Sequence, residues 1–413
     1  MNGTIDPRRV WLNTSSLAFG EVAARGFSFL ATLHLARALG TAGFGRLELA
    51  AAVVLYASSL ATFGLDIVGS RHVAVDASHA RALVRAVVSI RLGLACVATL
   101  LLLVLTYLVP RFGEIRPLIL LTATLVFVEA AKVNWVFQGL ERMRRVAAAS
   151  ILGQAVYAAA VFAFVHGPSE ILRVPLLTSA GSAVTAAILG AIAWRSFRGL
   201  SKDPYPGLVS TLWREAVPLV VNAVAGLVVY NAAVIVIGLL GDDHHVGLYR
   251  AAGRIAGVFT MIGGAFSIAT FPSLARSAKD PDEFHRTLAW TLRMSIAAWA
   301  ICAVAVILGA RLILTLTFGR AYEESVFVLR LLILAAAVVG VRTQYRSSLI
   351  ALKRAPRNIP PTLWAAAVNL TGCLLLIPRF GLRGAAWAGI AAETVMFVLV
   401  RGEVERALAR PPP

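Results

Sequence analysis

The sequence predicts an all-α integral membrane protein of about twelve transmembrane helices. Of its 413 residues, 59% are hydrophobic and only 15% are charged, a more apolar mixture than a soluble domain contains. Apolar stretches of about 20 residues, each long enough to cross a hydrocarbon layer about 30 Å thick, recur between Ser15 and Val400. Because backbone polar groups in lipid need partners within their own segment, these stretches must be helical.

Apolar runs and the residues that interrupt them place the individual helices. The longest connection, around Arg195 to Trp213, separates the sixth predicted helix from the seventh. We therefore expect two six-helix lobes, residues 1–200 and 201–413. The predicted helices span residues 12–36, 46–69, 86–109, 117–140, 146–165, 171–194, 214–240, 246–272, 287–309, 325–351, 359–378 and 383–401.

The connections between helices alternate between arginine-rich and arginine-poor. The positive-inside rule assigns the arginine-rich set to the cytoplasm, so both termini are expected there. The net charge of +18 is explained by the same clusters. They lie between apolar runs rather than on a soluble face, which excludes nucleic acid as the expected partner.

The two predicted lobes repeat short motifs. "LGTAGFGRLELA" after the first helix is similar to "LGDDHHVGLYRAA" after the seventh, and "LERMRR" after the fourth is similar to "LKRAPR" after the tenth. Each pair occupies the same place in its half of the chain. Parallel repeats of this kind suggest two lobes related by an axis along the membrane normal, with a substrate path between them.

Five passages that span nearly the whole chain combine glycines, small residues and single charges. They are "ARALGTAGFGRLELA" at 36–50, "FGLDIVGSRHVA" at 63–74, "VGLYRAAGRIAGVF" at 246–259, "FPSLAR" at 271–276 and "IPRFGLRGAAWAGIAAET" at 377–394. In their order and spacing they resemble the polysaccharide-transporter branch, of the O-antigen flippase type, of the multidrug/oligosaccharidyl-lipid/polysaccharide (MOP) exporter superfamily.

The resemblance implies a MATE-like, V-shaped fold that works by alternating access. It implies a flippase that carries undecaprenyl-pyrophosphate-linked oligosaccharide across the bacterial inner membrane for surface polysaccharide biosynthesis. The expected partners are this lipid-linked glycan and membrane lipids, with a polysaccharide polymerase and other assembly proteins as further candidates.

Polar residues follow one face of the first predicted helix: Thr14, Glu21, Arg25, Ser28 and Thr32. Glu21 and Arg25 are four residues apart and can form an ion pair along the helix. The pair is either a purely structural salt bridge or part of the wall of a substrate cavity. We name both residues as substrate-binding candidates.

Ionisable residues inside the fourth and tenth predicted helices form a second candidate group. Glu129 and Lys132 lie in the fourth helix, and Arg342 and Arg346 lie in the tenth, its repeat partner. The three cations could attract a pyrophosphate, arginine by paired hydrogen bonds and lysine as a point charge. The alternative is that they extend toward cytoplasmic lipid headgroups. Glu129 is a candidate for gating or coupling.

Four further residues match family patterns or lie isolated in a span. Arg254 falls on the arginine of the family's "GLYxxAxR" pattern and either binds substrate or satisfies loop carbonyls and headgroups. Asp66 and Arg71 match "GLDxxxxR" and are expected to close a gate or cap a helix. Glu393 in the twelfth helix is either a hydrogen-bonded structural group or a proton or sodium coupling site.

The chain contains no Walker phosphate loop, HExxH, GxSxG or paired-cysteine motif, so we expect neither a catalytic site nor a cofactor. His244 and His245 beside Asp242 and Asp243 are expected to form a solvated turn rather than a metal site. Two other functions stay open. A drug or cation antiporter of the same superfamily should have an acidic, aromatic cavity rather than a basic one. A membrane glycan polymerase or glycosyltransferase should have sizeable outer loops that carry catalytic residues.

Overall fold

The computed structural model describes residues 7–200 and 207–409, with side chains described in these ranges except for 7–19, 21, 262 and 265. Every regular element in these ranges is helical. The main helices are α1 (Pro7–Thr62), α2 (Leu65–Val75), α3 (Ala80–Leu108), α4 (Pro110–Glu114), α5 (Arg116–Ala131), α6 (Asn134–Gly139), α7 (Met143–Phe164), α8 (Arg173–Phe197), α9 (Leu208–Leu239), α10 (Asp243–Ser277), α11 (Pro281–Thr317), α12 (Val326–Ala351) and α13 (Ile359–Ala409).

Among the described residues, ten helical stretches are long and apolar enough to cross a membrane. Two of them, Val22–Val75 and Ala355–Ala409, contain 54 and 55 residues, although a single crossing needs only about 20. The first is broken at Gly40 (φ 69°) and the second at Gly381 (φ 55°), both in the left-handed region that glycine adopts without strain. The all-α membrane fold is thus confirmed. The number of twelve crossings stays a prediction.

The chain divides into two compact units, Met1–Val224 and Ala225–Pro413. The division falls inside α9, because Leu208, Leu212 and Ala216 of its first half join a buried apolar cluster of the first unit. In the second unit, Trp299 is buried against Gly263 and Gly340. A Cβ atom at Gly340 would lie 1.9 Å from the Cε2 atom of Trp299. The lobe boundary at residue 200 stays a prediction.

Two predicted helices of the first unit are interrupted in the structure. The predicted helix 46–69 stops at Phe63 and Gly64, which both have positive φ, and a new helix starts at Leu65. The predicted helix 117–140 is interrupted at Lys132 and Val133, where no glycine or proline is present. Positive φ is unfavourable for a residue with a side chain, so the backbone at Phe63 is strained. Both interruptions lie close to the candidate functional site.

Helices α2 and α6 cross in close contact through two glycines. A Cβ atom at Gly69 would lie 2.6 Å from Cε3 of the buried Trp135, and one at Gly139 would lie 2.4 Å from the carbonyl oxygen of Ser70. Real Cβ atoms essentially never approach this closely. This contact therefore fixes the position of α2 relative to the interrupted helix pair α5 and α6.

We expect Gly139→Ala to lower the free energy of unfolding by about 1–3 kcal/mol, because the new methyl group must push against backbone. Gly190→Ala is the matched control, since its Cβ would meet nothing within 4 Å and alanine favours a helix. Thermal unfolding of both variants in detergent measures the difference. Equal melting temperatures for the two would refute the close crossing.

Candidate functional site

Five residues of the first unit form a connected polar cluster, the unit-1 network: Asp66, Arg91, Glu129, Lys132 and Ser182. Arg91 donates from Nη2 to Oδ2 of Asp66 at 2.6 Å and from Nη1 to the carbonyl oxygen of Lys132 at 3.1 Å. The Lys132 ammonium donates to Glu129 at 2.5 Å and to the Ser182 hydroxyl at 2.9 Å. Ser182 in turn donates to Glu129 at 2.9 Å.

The interruption at Lys132 explains why Arg91 is buried here. Lys132 has an extended backbone (φ −64°, ψ 138°) inside a stretch that is long enough to span the membrane. Non-helical backbone at membrane depth is tolerated only where it is buried in protein or lines a polar cavity. The side chain of Arg91 is 1% exposed and satisfies the Lys132 carbonyl, so it stabilises the interrupted helix while it neutralises Asp66.

The unit-1 network balances its charges, with two cations and two carboxylates. Asp66 is 46% exposed and lies in the first turn of α2, where the helix dipole favours a carboxylate. Lys132 is mostly buried and already has a carboxylate partner. Its predicted role in binding an anion therefore requires it to exchange Glu129 for the substrate, and that role stays a prediction.

Arg342 and Glu393 form a buried ion pair in the second unit. Nε of Arg342 lies 3.0 Å from Oε2 of Glu393, and each side chain is only 6% exposed. Tyr230 lies near this pair and interacts electrostatically with both residues, and it is itself 57% exposed. The pairing joins two residues that the sequence suggested separately. The proposed coupling role of Glu393 stays a prediction.

Arg346 lies one turn beyond Arg342 on α12 and is exposed. It makes no ion pair with a carboxylate within the part of the chain that the structure describes, whereas Arg342 is neutralised by Glu393. The four residues Tyr230, Arg342, Arg346 and Glu393, which we call the unit-2 cluster, therefore carry one net positive charge. That charge is accessible at Arg346.

Arg71 of α2 approaches α9. Its guanidinium lies 3.7 Å from Glu215, and His72 lies 3.6 Å from the same carboxylate. These residues border an open cavity of about 480 Å³ that also contacts Asp76 and His79. Hydrogen bonds from the side chain and the backbone of Ser78 lower the pKa of Asp76 to about 2. The predicted gating role of Arg71 stays a prediction.

Three predicted site residues remain: Glu21, Arg25 and Arg254. Arg25 and Arg254 are both exposed. The side chain of Glu21 lies outside the described part of the structure, so the expected ion pair with Arg25 stays a prediction. Arg250 donates to Oδ1 of Asn231 at 2.6 Å.

The Asp242–His245 turn caps α10. The carboxylate of Asp242 accepts a hydrogen bond from the backbone N–H of His245 at 2.9 Å. Burial raises the pKa of Asp242, but the hydrogen bonds from His245 outweigh it and leave that pKa below its usual value. Within the ranges 7–200 and 207–409, no group of three His, Cys, Asp or Glu residues is arranged to hold a metal ion.

Three members of these clusters were not predicted from the sequence: Arg91, Ser182 and Tyr230. Arg91 did carry a signal, because it interrupts the apolar run "SIRLGLA" within a membrane span, where an ionisable group is retained only for a partner or a wet cavity. Ser182 and Tyr230 carried none, since serine and tyrosine are common in membrane helices without any site nearby.

The chain is similar to known proteins over most of its length. Residues 10–278 match the model of a family described as polysaccharide biosynthesis protein. A protein of Escherichia coli (strain K12) that is named as an O-antigen transporter is 21% identical over 94% of this chain and 97% of its own length. A protein of Shigella dysenteriae with the same name is 23% identical over 77% of this chain and 80% of its own length.

Solved structures show the same fold at lower identity. The lipid II flippase MurJ in an inward closed conformation superposes with a TM-score of 0.73 at 14% identity, covering 94% of this chain and 87% of that chain. An inward-facing MATE family multidrug transporter of the MOP superfamily gives a TM-score of 0.71 at 14% identity, covering 93% and 94%. These neighbours and the sequence relatives are transporters and flippases, not enzymes.

Proposed function

This chain belongs to the polysaccharide biosynthesis protein family, and from that premise we propose that it flips undecaprenyl-pyrophosphate-linked oligosaccharide across the bacterial inner membrane. The resemblance seen in the sequence is confirmed by the family match and by the shared MOP fold. The proposal includes cytoplasmic termini, two six-helix lobes and alternating access. It is supported by two relatives that are named as O-antigen transporters and are matched over 97% and 80% of their own lengths.

The proposed substrate is supported mainly by one observation, the accessible positive charge of the unit-2 cluster. A pyrophosphate needs cations whose charge is not already neutralised in the protein. Arg346 meets this condition, because the neighbouring Arg342 is paired with Glu393. A guanidinium can also donate two parallel hydrogen bonds to phosphate oxygens. We assign Arg346 as the main contact for the pyrophosphate, with Arg342 positioned behind it.

In the proposed cycle the unit-1 network supplies a second cation. Lys132 leaves Glu129 for the pyrophosphate, and Ser182 continues to satisfy the Glu129 carboxylate through its hydroxyl. Asp66, Arg71, Glu129 and Glu393 then act in gating or coupling. Glu21, Arg25 and Arg254 are further substrate contacts in this proposal.

The variant Arg346→Gln tests the proposed contact. Because Arg346 is exposed, the protein should fold normally, while transport should fall roughly ten- to a hundredfold through loss of about 1.5–3 kcal/mol of charged hydrogen bonds. The measurement is surface glycan export in cells that carry only the variant gene, normalised to the amount of protein in the membrane.

Arg330→Gln is the matched control, an exposed arginine on the same helix α12 outside the unit-2 cluster. It should retain normal export. Wild-type export by Arg346→Gln at equal abundance would contradict the assignment of the pyrophosphate to this residue.

A further inference from the structure

A groove of about 360 Å³ opens on the surface of the first unit and is lined by residues of α3 and α8 and by Val133, between α5 and α6. Its apolar wall consists of Val84, Val133, Gly190, Ala193 and Phe197. At Gly190 the wall is open, since a Cβ atom there would meet nothing within 4 Å. An apolar surface at the end of membrane-spanning helices is suited to a hydrocarbon chain.

One end of the groove is basic. Arg81 and Arg85 line it from adjacent turns of α3. Arg81 donates to the carbonyl oxygens of Arg198 and Leu200, at 2.7 and 3.2 Å, so its position is fixed by α8 and the residues that follow it. Arg85 is exposed and forms no hydrogen bond or ion pair from its side chain within the described residues. No carboxylate is among the described residues that line the groove.

Trp194 completes the pattern of a membrane interface. Its ring lines the groove, is 58% exposed, and lies 5.0 Å below the guanidinium of Arg198. Tryptophan is enriched at the headgroup level of membranes, and arginine beside it faces lipid phosphate. These residues lie at the helix ends that the positive-inside pattern assigns to the cytoplasm.

We propose that this groove is a binding site for an anionic phospholipid of the cytoplasmic leaflet. The lipid phosphate lies against Arg85 and Arg81, and one acyl chain lies along the apolar wall past Gly190. Charge selects the headgroup, because the basic end has two arginines and no opposing acid. The apolar wall favours a lipid over a free phosphate ion, because only a lipid brings a hydrocarbon chain to it.

A lipid bound in the groove would lie beside the interrupted helix. Val133 lies at the wall of the groove and directly follows Lys132, whose extended backbone is held by Arg91. A lipid in the groove therefore contacts the chain at the interruption. Its binding should stabilise the folded protein in proportion to its affinity, since a ligand that binds only the folded state shifts unfolding by mass action.

Native mass spectrometry of the full chain in detergent, titrated with dioleoyl phosphatidylglycerol or dioleoyl phosphatidylcholine, tests the proposal. Phosphatidylglycerol should bind at least about fivefold more tightly than phosphatidylcholine. Arg85→Gln should weaken phosphatidylglycerol binding about fivefold and leave phosphatidylcholine binding unchanged. Gly190→Leu, which fills the groove with a residue that favours a helix, should weaken the binding of both lipids.

Arg195→Gln is the matched control, because Arg195 is an exposed arginine beside Trp194 that does not line the groove. It should bind phosphatidylglycerol like the unchanged protein. Equal losses in Arg85→Gln and Arg195→Gln, or equal affinities for the two lipids, would overturn the site. A third probe, undecaprenyl pyrophosphate, separates the two sources of a lipid phosphate. If Gly190→Leu weakens its binding as much as that of phosphatidylglycerol, the groove holds the transported lipid and the proposal fails.

Discussion

Glu393→Ala should remove most of the folded protein from the membrane. The substitution leaves Arg342 as a buried cation without its carboxylate, at a site where both side chains are 6% exposed. Removing one partner of a buried ion pair destabilises proteins by about 3–5 kcal/mol, a large part of a total stability of about 5–15 kcal/mol. The amount of protein in the membrane and its melting temperature in detergent measure this effect.

Glu405→Ala is the matched control. Glu405 pairs with Arg401 at 2.8 Å on the same helix α13, but both side chains are more than half exposed. Loss of such an exposed pair costs about 0–1 kcal/mol. If Glu393→Ala is as stable as Glu405→Ala, the buried pair does not stabilise the second unit.

The double substitution Arg342→Met with Glu393→Leu separates a structural role from coupling. Replacing both charges by apolar groups of similar size leaves no lone charge, so folding should recover. Normal transport by this double variant would show that the pair is only structural and would remove Glu393 from the coupling candidates. A folded protein without transport would show that the pair has a functional role, either in coupling through Glu393 or beside the pyrophosphate through Arg342.

Arg91→Met should be the second most damaging change, lowering the free energy of unfolding by about 2–4 kcal/mol. The variant deprives the extended backbone at Lys132 of its donor and Asp66 of its counter-ion. We place the expected loss below that for Glu393 because Asp66 is 46% exposed and can be solvated. Thermal unfolding in detergent measures the loss.

A control variant and a double-mutant cycle test whether the loss of stability is specific to the contacts of Arg91. Arg144→Met, at an exposed arginine of the same unit, should change stability by less than about 0.5 kcal/mol. A double-mutant cycle of Arg91→Met with Asp66→Asn isolates the ion pair from the hydrogen bond to Lys132. If Arg91→Met is no less stable than Arg144→Met, the interrupted helix does not depend on Arg91.

The placement of the helices along the chain follows from local sequence signals. Apolar runs placed the helices, and glycines mark the ends of two of them at Gly40 and Gly381, where φ is positive. The interruption at Lys132 was not predictable, because neither glycine nor proline marks it. It is stabilised by Arg91, which lies 41 residues earlier in the chain. A backbone conformation set by tertiary contact leaves no trace in the local propensities.

The candidate site could be predicted as a list of residues but not as a set of partners. Arg342 and Glu393 were each conspicuous as charges inside apolar helices, yet they are separated by 51 residues and helical periodicity relates only near neighbours. Glu129 and Lys132 were predictable as neighbours, because they are three residues apart on one helix. The distinction between a neutralised Arg342 and an accessible Arg346 needed the structure.

Transport by the purified protein tests the central proposal most directly. The full chain is reconstituted into vesicles that contain undecaprenyl-pyrophosphate-linked oligosaccharide on one leaflet, and a membrane-impermeant glycosidase reports the glycan that reaches the other. We predict protein-dependent transfer that is at least about tenfold faster for the unchanged protein than for Arg346→Gln. Transfer no faster than in protein-free vesicles, together with accumulation of a cationic drug by the same protein, would contradict the account and favour an antiporter.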